Sequence, residues 1–307
     1  MTRDVGWLTG CGTALVTPFT ATGAVDEARY RALVERQLAG GVRLLVPCGT
    51  TGEAATLTPA EYERVVALTV ETARGRATVL AGAGSNATAA TIERARVARA
   101  AGADALLIVA PYYNKPTQAG LTAHFRAVAQ AVRDVPVVLY NVPGRTASNL
   151  AAATTLALAR EVENIVGVKE ASGDLTQIMA VLRERPAGFR VLSGDDALTL
   201  PLVALGADGI ISVASNEAPE HMTRLTQCAL GGEWQAAREL HYRLLPLMEA
   251  NFLESNPGPV KAALALMGLV DEQLRLPLVP VQEQTRARLR AVLGALGLLS
   301  SAAHVAA

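Results

Sequence analysis

The chain has 307 residues, half of them apolar and only 18% charged, and its 28 basic residues balance 28 acidic ones. That balance leaves no basic footprint for nucleic acid or an anionic membrane surface, and the apolar content excludes disorder. A chain this long buries a full core without staples, and so little charge points to surface hidden by self-association.

The first twelve residues carry Arg3 and Asp4 but no apolar stretch, so they do not read as a secretory leader. Short consecutive apolar runs follow at 12–17, 43–48, 78–81, 105–110, 137–140, 165–169, 190–193 and 209–212. Each reads as a strand buried on both faces. Helical patterns separate them at 26–39, 59–73, 87–101, 117–132, 150–160, 175–185, 197–205 and 219–229. The second of these opens with Thr58 as N-cap, Pro59 at the first position and Glu61 three residues on. Eight strands alternating with eight helices are the arithmetic of an α/β fold closed as a (β/α)8 TIM barrel. A doubly wound sheet is the alternative, but the glycine-rich stretch 82–86 is followed by Ala87 where a dinucleotide fingerprint needs glycine.

Beyond residue 232 the strand patterns stop, and 233–252, 259–269 and 283–296 read as helices. The expected organisation is a catalytic barrel over 1–232 and a C-terminal three-helix domain over 233–307, with Pro257 and Pro259 marking a sharp joint. The stretch 291–307 is apolar but broken by Gly294 and Gly297, which favours a packed terminal helix over a tail anchor. The longest apolar runs, such as 106–110, are far too short to span a bilayer.

In such a barrel the strand C-termini hold the active site. The second strand ends in Gly49-Thr50-Thr51-Gly52-Glu53, the fourth in Pro111-Tyr112-Tyr113-Asn114, the fifth in Tyr140-Asn141-Val142-Pro143-Gly144-Arg145-Thr146, the sixth in Lys169-Glu170-Ala171-Ser172-Gly173, and the seventh in Gly194-Asp195-Asp196. Lys169 is the sharpest signal. Only three of the 28 basic residues are lysines (Lys115, Lys169 and Lys261), so a lysine retained here suggests chemistry that arginine cannot do. Inside a barrel of Val, Ile and Leu it is costly unless paired or neutral, and a neutral amine is what imine formation needs. The bland alternative is an ion pair with Glu170 or a lysine that snorkels to the surface. Tyr140, one strand earlier, can shuttle protons beside Lys169, or it is a core aromatic with a satisfied hydroxyl. Thr50 and Thr51 suit proton relay and carboxylate binding, or they are turn residues. The planar fork of Arg145 suits a substrate carboxylate, or it is a solvated loop charge.

No metal or cofactor signature accompanies these groups. Cys11, Cys48 and Cys228 are odd in number and widely spaced, with no CxxC. His124, His221, His241 and His304 share no metal spacing. Asp195-Asp196 suits a helix N-terminus better than Mg²⁺. Cys48 reads as a small buried residue rather than a nucleophile. The expected setting is the cytoplasm.

Together these residues resemble the pyruvate-dependent Schiff-base aldolase (N-acetylneuraminate lyase) family, and within it the dihydrodipicolinate synthase branch. The resemblance spans nearly the whole chain. It runs through 49–53, 111–114, 140–146, 167–173, 193–196 and 209–213, then Asn256-Pro257-Gly258-Pro259-Val260-Lys261 and Leu274-Arg275-Leu276-Pro277. It implies that pyruvate forms an imine with Lys169, then an enamine that attacks L-aspartate 4-semialdehyde. It also implies that Tyr140, Thr50 and Tyr113 form a proton relay, with Tyr113 reaching in from a neighbouring subunit of a homotetramer built as a dimer of dimers. Thr51 is similar to the family's pyruvate-carboxylate binder and Arg145 to its semialdehyde-carboxylate residue. Gly194 and Ile211 line the site in relatives, and no metal or organic cofactor is implied. The sibling reading, an aldolase acting on a sugar-acid aldehyde, is disfavoured by Thr50-Thr51 and Arg145. One departure stands out. Lysine-inhibited relatives hold lysine with an acidic side chain, histidines, an Asn and a Tyr. Asn86 and Tyr112 match, but the acidic position is Ala90 and the histidine positions are Pro59 and Tyr62. The expectation is weak or absent lysine inhibition.

Overall fold

The structure, a computed structural model, describes residues 5–299. Arg3, Asp4, His304 and the end of the apolar terminal stretch lie outside the described residues. Eight strands close in sequence order into a parallel barrel: β1 (Gly10–Ala14), β2 (Leu44–Val46), β3 (Thr78–Gly82), β4 (Ala105–Val109), β5 (Val137–Asn141), β6 (Ile165–Glu170), β7 (Arg190–Ser193) and β8 (Gly209–Ser212). The expected (β/α)8 barrel is therefore the observed fold. β1 and β8 close it by pairing Gly10 with Gly209. A Cβ on Gly209 would lie 2.1 Å from the Gly10 carbonyl oxygen, so only glycine lets these strands meet.

β1 and β2 stop two or more residues short of the C-terminal ends of their apolar runs. Val16 leaves the ladder because its N–H donates to Asn216 Oδ1 at 3.2 Å, and the Thr17 hydroxyl donates to the Gly52 carbonyl at 2.8 Å. β2 stops before Cys48, whose φ is +55°. At the rim, loop side chains satisfy backbone and hydroxyl groups in place of ladder partners.

The surrounding helices are α1 (Glu27–Ala39), α2 (Pro59–Ala73), α3 (Thr88–Ala100), α4 (Gln118–Ala131), α5 (Pro143–Thr146), α6 (Ala152–Glu161), α7 (Leu175–Glu184), α8 (Thr199–Ala204) and α9 (Pro219–Leu230). α2 carries the expected capping box. Glu61 N–H donates to Thr58 Oγ1 at 3.3 Å, and Thr58 N–H donates to Glu61 Oε2 at 2.9 Å. The helix expected at 197–205 instead begins as a 3-10 turn, Asp196–Leu198, capped by Asp195. The single turn α5 was not expected. Pro143 opens it and Ala147, in the left-handed region, ends it. Three further helices follow: α10 (Trp234–Ala250), α11 (Gly258–Leu266) and α12 (Glu283–Ala295).

Strand alternation builds two apolar layers. Leu44, Val46, Leu80, Leu107, Val138, Leu192 and Ile211 fill the barrel. Leu45, Val79, Leu106, Ile108, Leu139, Val191 and Ile210 face outward onto the helices. Ala237, Leu244, Leu247, Leu289 and Leu293 of the C-terminal helices belong to that same outer core. Val260 and Leu264 of α11 pack with Val16, Leu33 and Val213 near the barrel rim. The appendage thus reaches the end of the barrel where a site is expected.

Candidate active site

Lys169 is the fifth residue of β6, and the ladder pairs it with Tyr140 of β5 and Leu192 of β7. A register shift at Val137/Val138 sets this pairing. Tyr140 belongs to the inner apolar layer, and the Lys169 Nζ lies 4.4 Å from the centre of its ring. Both residues are buried, at 6% and 7% exposure. Gly194, at the end of β7, makes the space. A Cβ there would lie 2.9 Å from Lys169 Cε and 2.7 Å from Ala171 Cβ.

The ion pair with Glu170, one bland alternative for Lys169, does not form. Glu170 turns away and accepts from Ser172 N–H at 2.8 Å and from Asn141 Nδ2 at 3.1 and 3.2 Å. Burial raises its pKa, against the pull of these donors. Among the described residues no ion pair involves Lys169 or Arg145.

Lys169, Tyr140, Thr50, Thr51, Arg145 and Gly194 line one cavity of about 140 Å³ at the C-terminal end of the barrel. Thr50 and Thr51 come from the turn after β2, whose ends, Cys48 and Glu53, both have positive φ. Thr51 is 3% exposed, and its Oγ1 accepts from Asn256 Nδ2 at 3.0 Å. Arg145 projects from α5. The cavity shares Thr50, Tyr140, Arg145 and Asn256 with a larger one of about 380 Å³ that reaches Arg94, Tyr112 and Pro277. Chemically, this is an amine over an aromatic ring, flanked by hydroxyls, with one guanidinium at the edge. It suits a small keto acid attacked at its carbonyl.

Two expected site residues do not line that cavity. Ile211 is fully buried in the barrel interior, paired with Gly12 and packed with the inner layer. Tyr113 is 87% exposed with φ +75°, and its N–H donates to the Thr146 carbonyl at 3.3 Å. It lines neither its own chain's cavity nor the larger one beside it.

Asp195, Phe252 and Asn256 are among the lining residues that were given no site role from the sequence. Asp195 was weighed as a helix-start residue against a Mg²⁺ ligand, and it does cap Ala197 N–H at 2.9 Å. Asp196 is buried, taking Ser212 Oγ at 2.5 Å and the Val213 and Ala214 N–H groups at 3.0 Å. Asn256 opens the proline-flanked segment noted in the sequence, where it was quoted as part of the family resemblance but given no role. Cys48 is buried, with its thiol pushed up by burial, as a small core residue would be. His124 is likewise structural, with Nδ1 3.0 Å from Thr88 Oγ1, and burial lowers its pKa to about 4.

The sequence model of the dihydrodipicolinate synthetase family matches residues 7–296. The chain is 55% identical over 296 residues to the 4-hydroxy-tetrahydrodipicolinate synthase of Koribacter versatilis, covering 96% of this chain and 98% of that one. Its structure is similar to that of dihydrodipicolinate synthase from Aquifex aeolicus, with a TM-score of 0.93, 43% identity, and coverage of 95% and 99%. It is also similar to the chloride-inhibited dihydrodipicolinate synthase of Acinetobacter baumannii complexed with pyruvate, with a TM-score of 0.92, 43% identity, and coverage of 95% and 99%.

Proposed function

This chain belongs to the dihydrodipicolinate synthetase family, and we infer from that premise and from its site that it is a lyase condensing pyruvate with L-aspartate 4-semialdehyde. The product is 4-hydroxy-tetrahydrodipicolinate, in lysine and diaminopimelate biosynthesis. The sibling reading, a sugar-acid aldolase, is set aside because full-length relatives at about half identity are synthases.

One observation carries the mechanism: Lys169 places an amine, with no acidic partner among the described residues, over Tyr140 in a cavity that holds hydroxyls and Arg145. In the reaction Nζ adds to the pyruvate C2 carbonyl, and water leaves as the imine forms. Loss of a C3 proton gives the enamine, whose C3 bonds to the semialdehyde carbonyl carbon. The semialdehyde's amino group then attacks C2, closes the ring and expels the Lys169 amine. Tyr140 and Thr50 carry the protons, joined by Tyr113 of a neighbouring subunit. Thr51 binds the pyruvate carboxylate, and Arg145 binds that of the semialdehyde. The connection between α10 and α11 walls the cavity through Phe252 and Asn256.

The assembly is a homotetramer, a dimer of dimers. The exposed Tyr113 supports it, as do the exposed apolar side chains Leu175, Met179 and Leu205. The reaction takes place in the cytoplasm, a reducing compartment that suits three free cysteines. No helix among the described residues is long and apolar enough to cross a membrane.

The test is turnover of pyruvate with L-aspartate 4-semialdehyde against a panel of sugar aldehydes, with borohydride trapping read by peptide mass. Turnover with the semialdehyde alone and pyruvate trapped on Lys169 are expected, and Lys169→Ala should trap none. Trapping without semialdehyde turnover would move the protein to a sibling aldolase. Arg145→Ala should impair semialdehyde use more than imine formation, and equal loss of both would remove its assigned role.

A further inference from the structure

Asn256 stands in the connection between α10 and α11, on the wall of the cavity that holds Lys169. It is 5% exposed, and its Nδ2 donates to Thr51 Oγ1 at 3.0 Å. Its Oδ1 is buried with no hydrogen-bond partner among the described residues. Packing does not require this amide. The segment that follows is anchored independently, by the buried ion pair of Lys261 with Glu53 and by Arg275 N–H donating to Glu53 at 3.2 Å. A buried amide with an orphaned oxygen costs folding free energy, so its presence beside the cavity calls for a role there.

A hydroxyl has one proton to give and lone pairs that accept. Left free, the Thr51 rotor presents either to the cavity, and a lone pair facing a carboxylate repels it. When Asn256 Nδ2 occupies one lone pair, the O–H bond swings to the other side. We propose that Asn256 is a positioning residue: it fixes the Thr51 hydroxyl as a donor into the cavity, aimed at the carboxylate of pyruvate. This rests on the assignment of Thr51 given above and adds what orients it. The rotor is set before pyruvate arrives, so binding does not bear the cost of ordering it.

The experiment is a double-mutant cycle on Asn256 and Thr51. The readouts are the pyruvate concentration that half-saturates borohydride trapping, by intact mass, and kcat at saturating pyruvate. Asn256→Ala is expected to raise half-saturation about tenfold, the scale of one hydrogen bond to a charged group, and to lower kcat far less. Thr51→Val should raise it at least as much. The double variant should be no worse than Thr51→Val, since no hydroxyl remains to orient. Effects that multiply instead would mean that Asn256 acts independently, and the inference would fall. If Thr51→Val left pyruvate saturation unchanged, the carboxylate-binding assignment of Thr51 would fall first, and the inference with it. Asn256→Asp keeps the side chain's shape and serves if the alanine variant does not fold. It accepts from Thr51 instead of donating, so its loss should be larger than that of Asn256→Ala and should shrink in the Thr51→Val background. A loss undiminished there would be charge repulsion of pyruvate and would overturn the inference.

Discussion

At the scale of single residues, the site depends on what is missing as much as on what is present. Gly194 leaves the channel through which the Lys169 side chain reaches the cavity. Gly194→Ala would put a methyl group 2.7 Å from Ala171 Cβ and 2.9 Å from Lys169 Cε, so both the lysine and the backbone carrying Ala171 must shift. Because about 1 Å of misplacement can cost roughly 10²-fold in rate, kcat is expected to fall by about that factor. Some loss of melting temperature should accompany it, since Ala171 Cβ moves only with its backbone. Activity and a thermal melt on the same sample check this, and an unchanged kcat would refute the channel. Ala90 is a second absence. Without a carboxylate there, a lysine ammonium loses a charge-assisted partner, typically worth about 1.5–3 kcal/mol. The nearby Arg94 lies over the Tyr62 ring at 5.8 Å and lines the larger cavity with Tyr112, so it adds like charge. Initial rates titrated with L-lysine should show no inhibition below 1 mM by order of magnitude, and half-inhibition in the micromolar range would overturn this. Lys169 was legible in the sequence because a lysine ending a valine-rich strand contradicts its surroundings. Asn256 was not, because its partner Thr51 lies 205 positions away and an Asn before a proline has many uses.

At the scale of elements, the alternation of apolar runs with capped helices revealed the barrel, because each strand is buried on both faces. The periodicity did not reveal how α11 is tied to the rim. That link is polar and remote: Lys261 and Glu53 pair with fully buried side chains, Lys261 Nζ donates to the Gln273 carbonyl at 2.8 Å, and it lies 4.1 Å from the centre of the Phe19 ring. Arg275 stacks on the same ring at 4.3 Å and hydrogen-bonds Glu61 and the Gly23 and Thr56 carbonyls. Burial holds the Lys261 pKa below the usual lysine value, opposed by Glu53. Glu53→Gln would leave that ammonium buried without its counter-charge, a loss of about 3–5 kcal/mol. Lys261→Met together with Glu53→Gln removes both charges and should recover much of it. Denaturant unfolding of the single and double variants checks this, and a double variant as unstable as the sum of the two singles would show that the pair is not coupled.

At the scale of the whole molecule, one chain holds five of the side chains assigned to the reaction around its own cavity and turns a sixth, Tyr113, out to solvent. A bulky residue at φ +75° is strained, and at 87% exposure Tyr113 has little packing within its own chain to offset that strain. The loop bearing Tyr113 is tied through its N–H to Thr146, next to Arg145, so a neighbour docking there would meet the open edge of the cavity. In a two-fold dimer each protomer then lends its phenol to the other. Lys169→Ala and Tyr113→Phe should each be nearly inactive as pure proteins. In a mixed dimer the protomer carrying Tyr113→Phe retains Lys169 and receives an intact phenol from its partner, so one of its two sites is whole. Equal mixing after dissociation and reassembly should therefore restore about a quarter of wild-type turnover, since half of the dimers are mixed and each has one working site. If Tyr113 served its own chain, every site in the mixture would lack either the lysine or the phenol, and turnover would stay at the level of the parents.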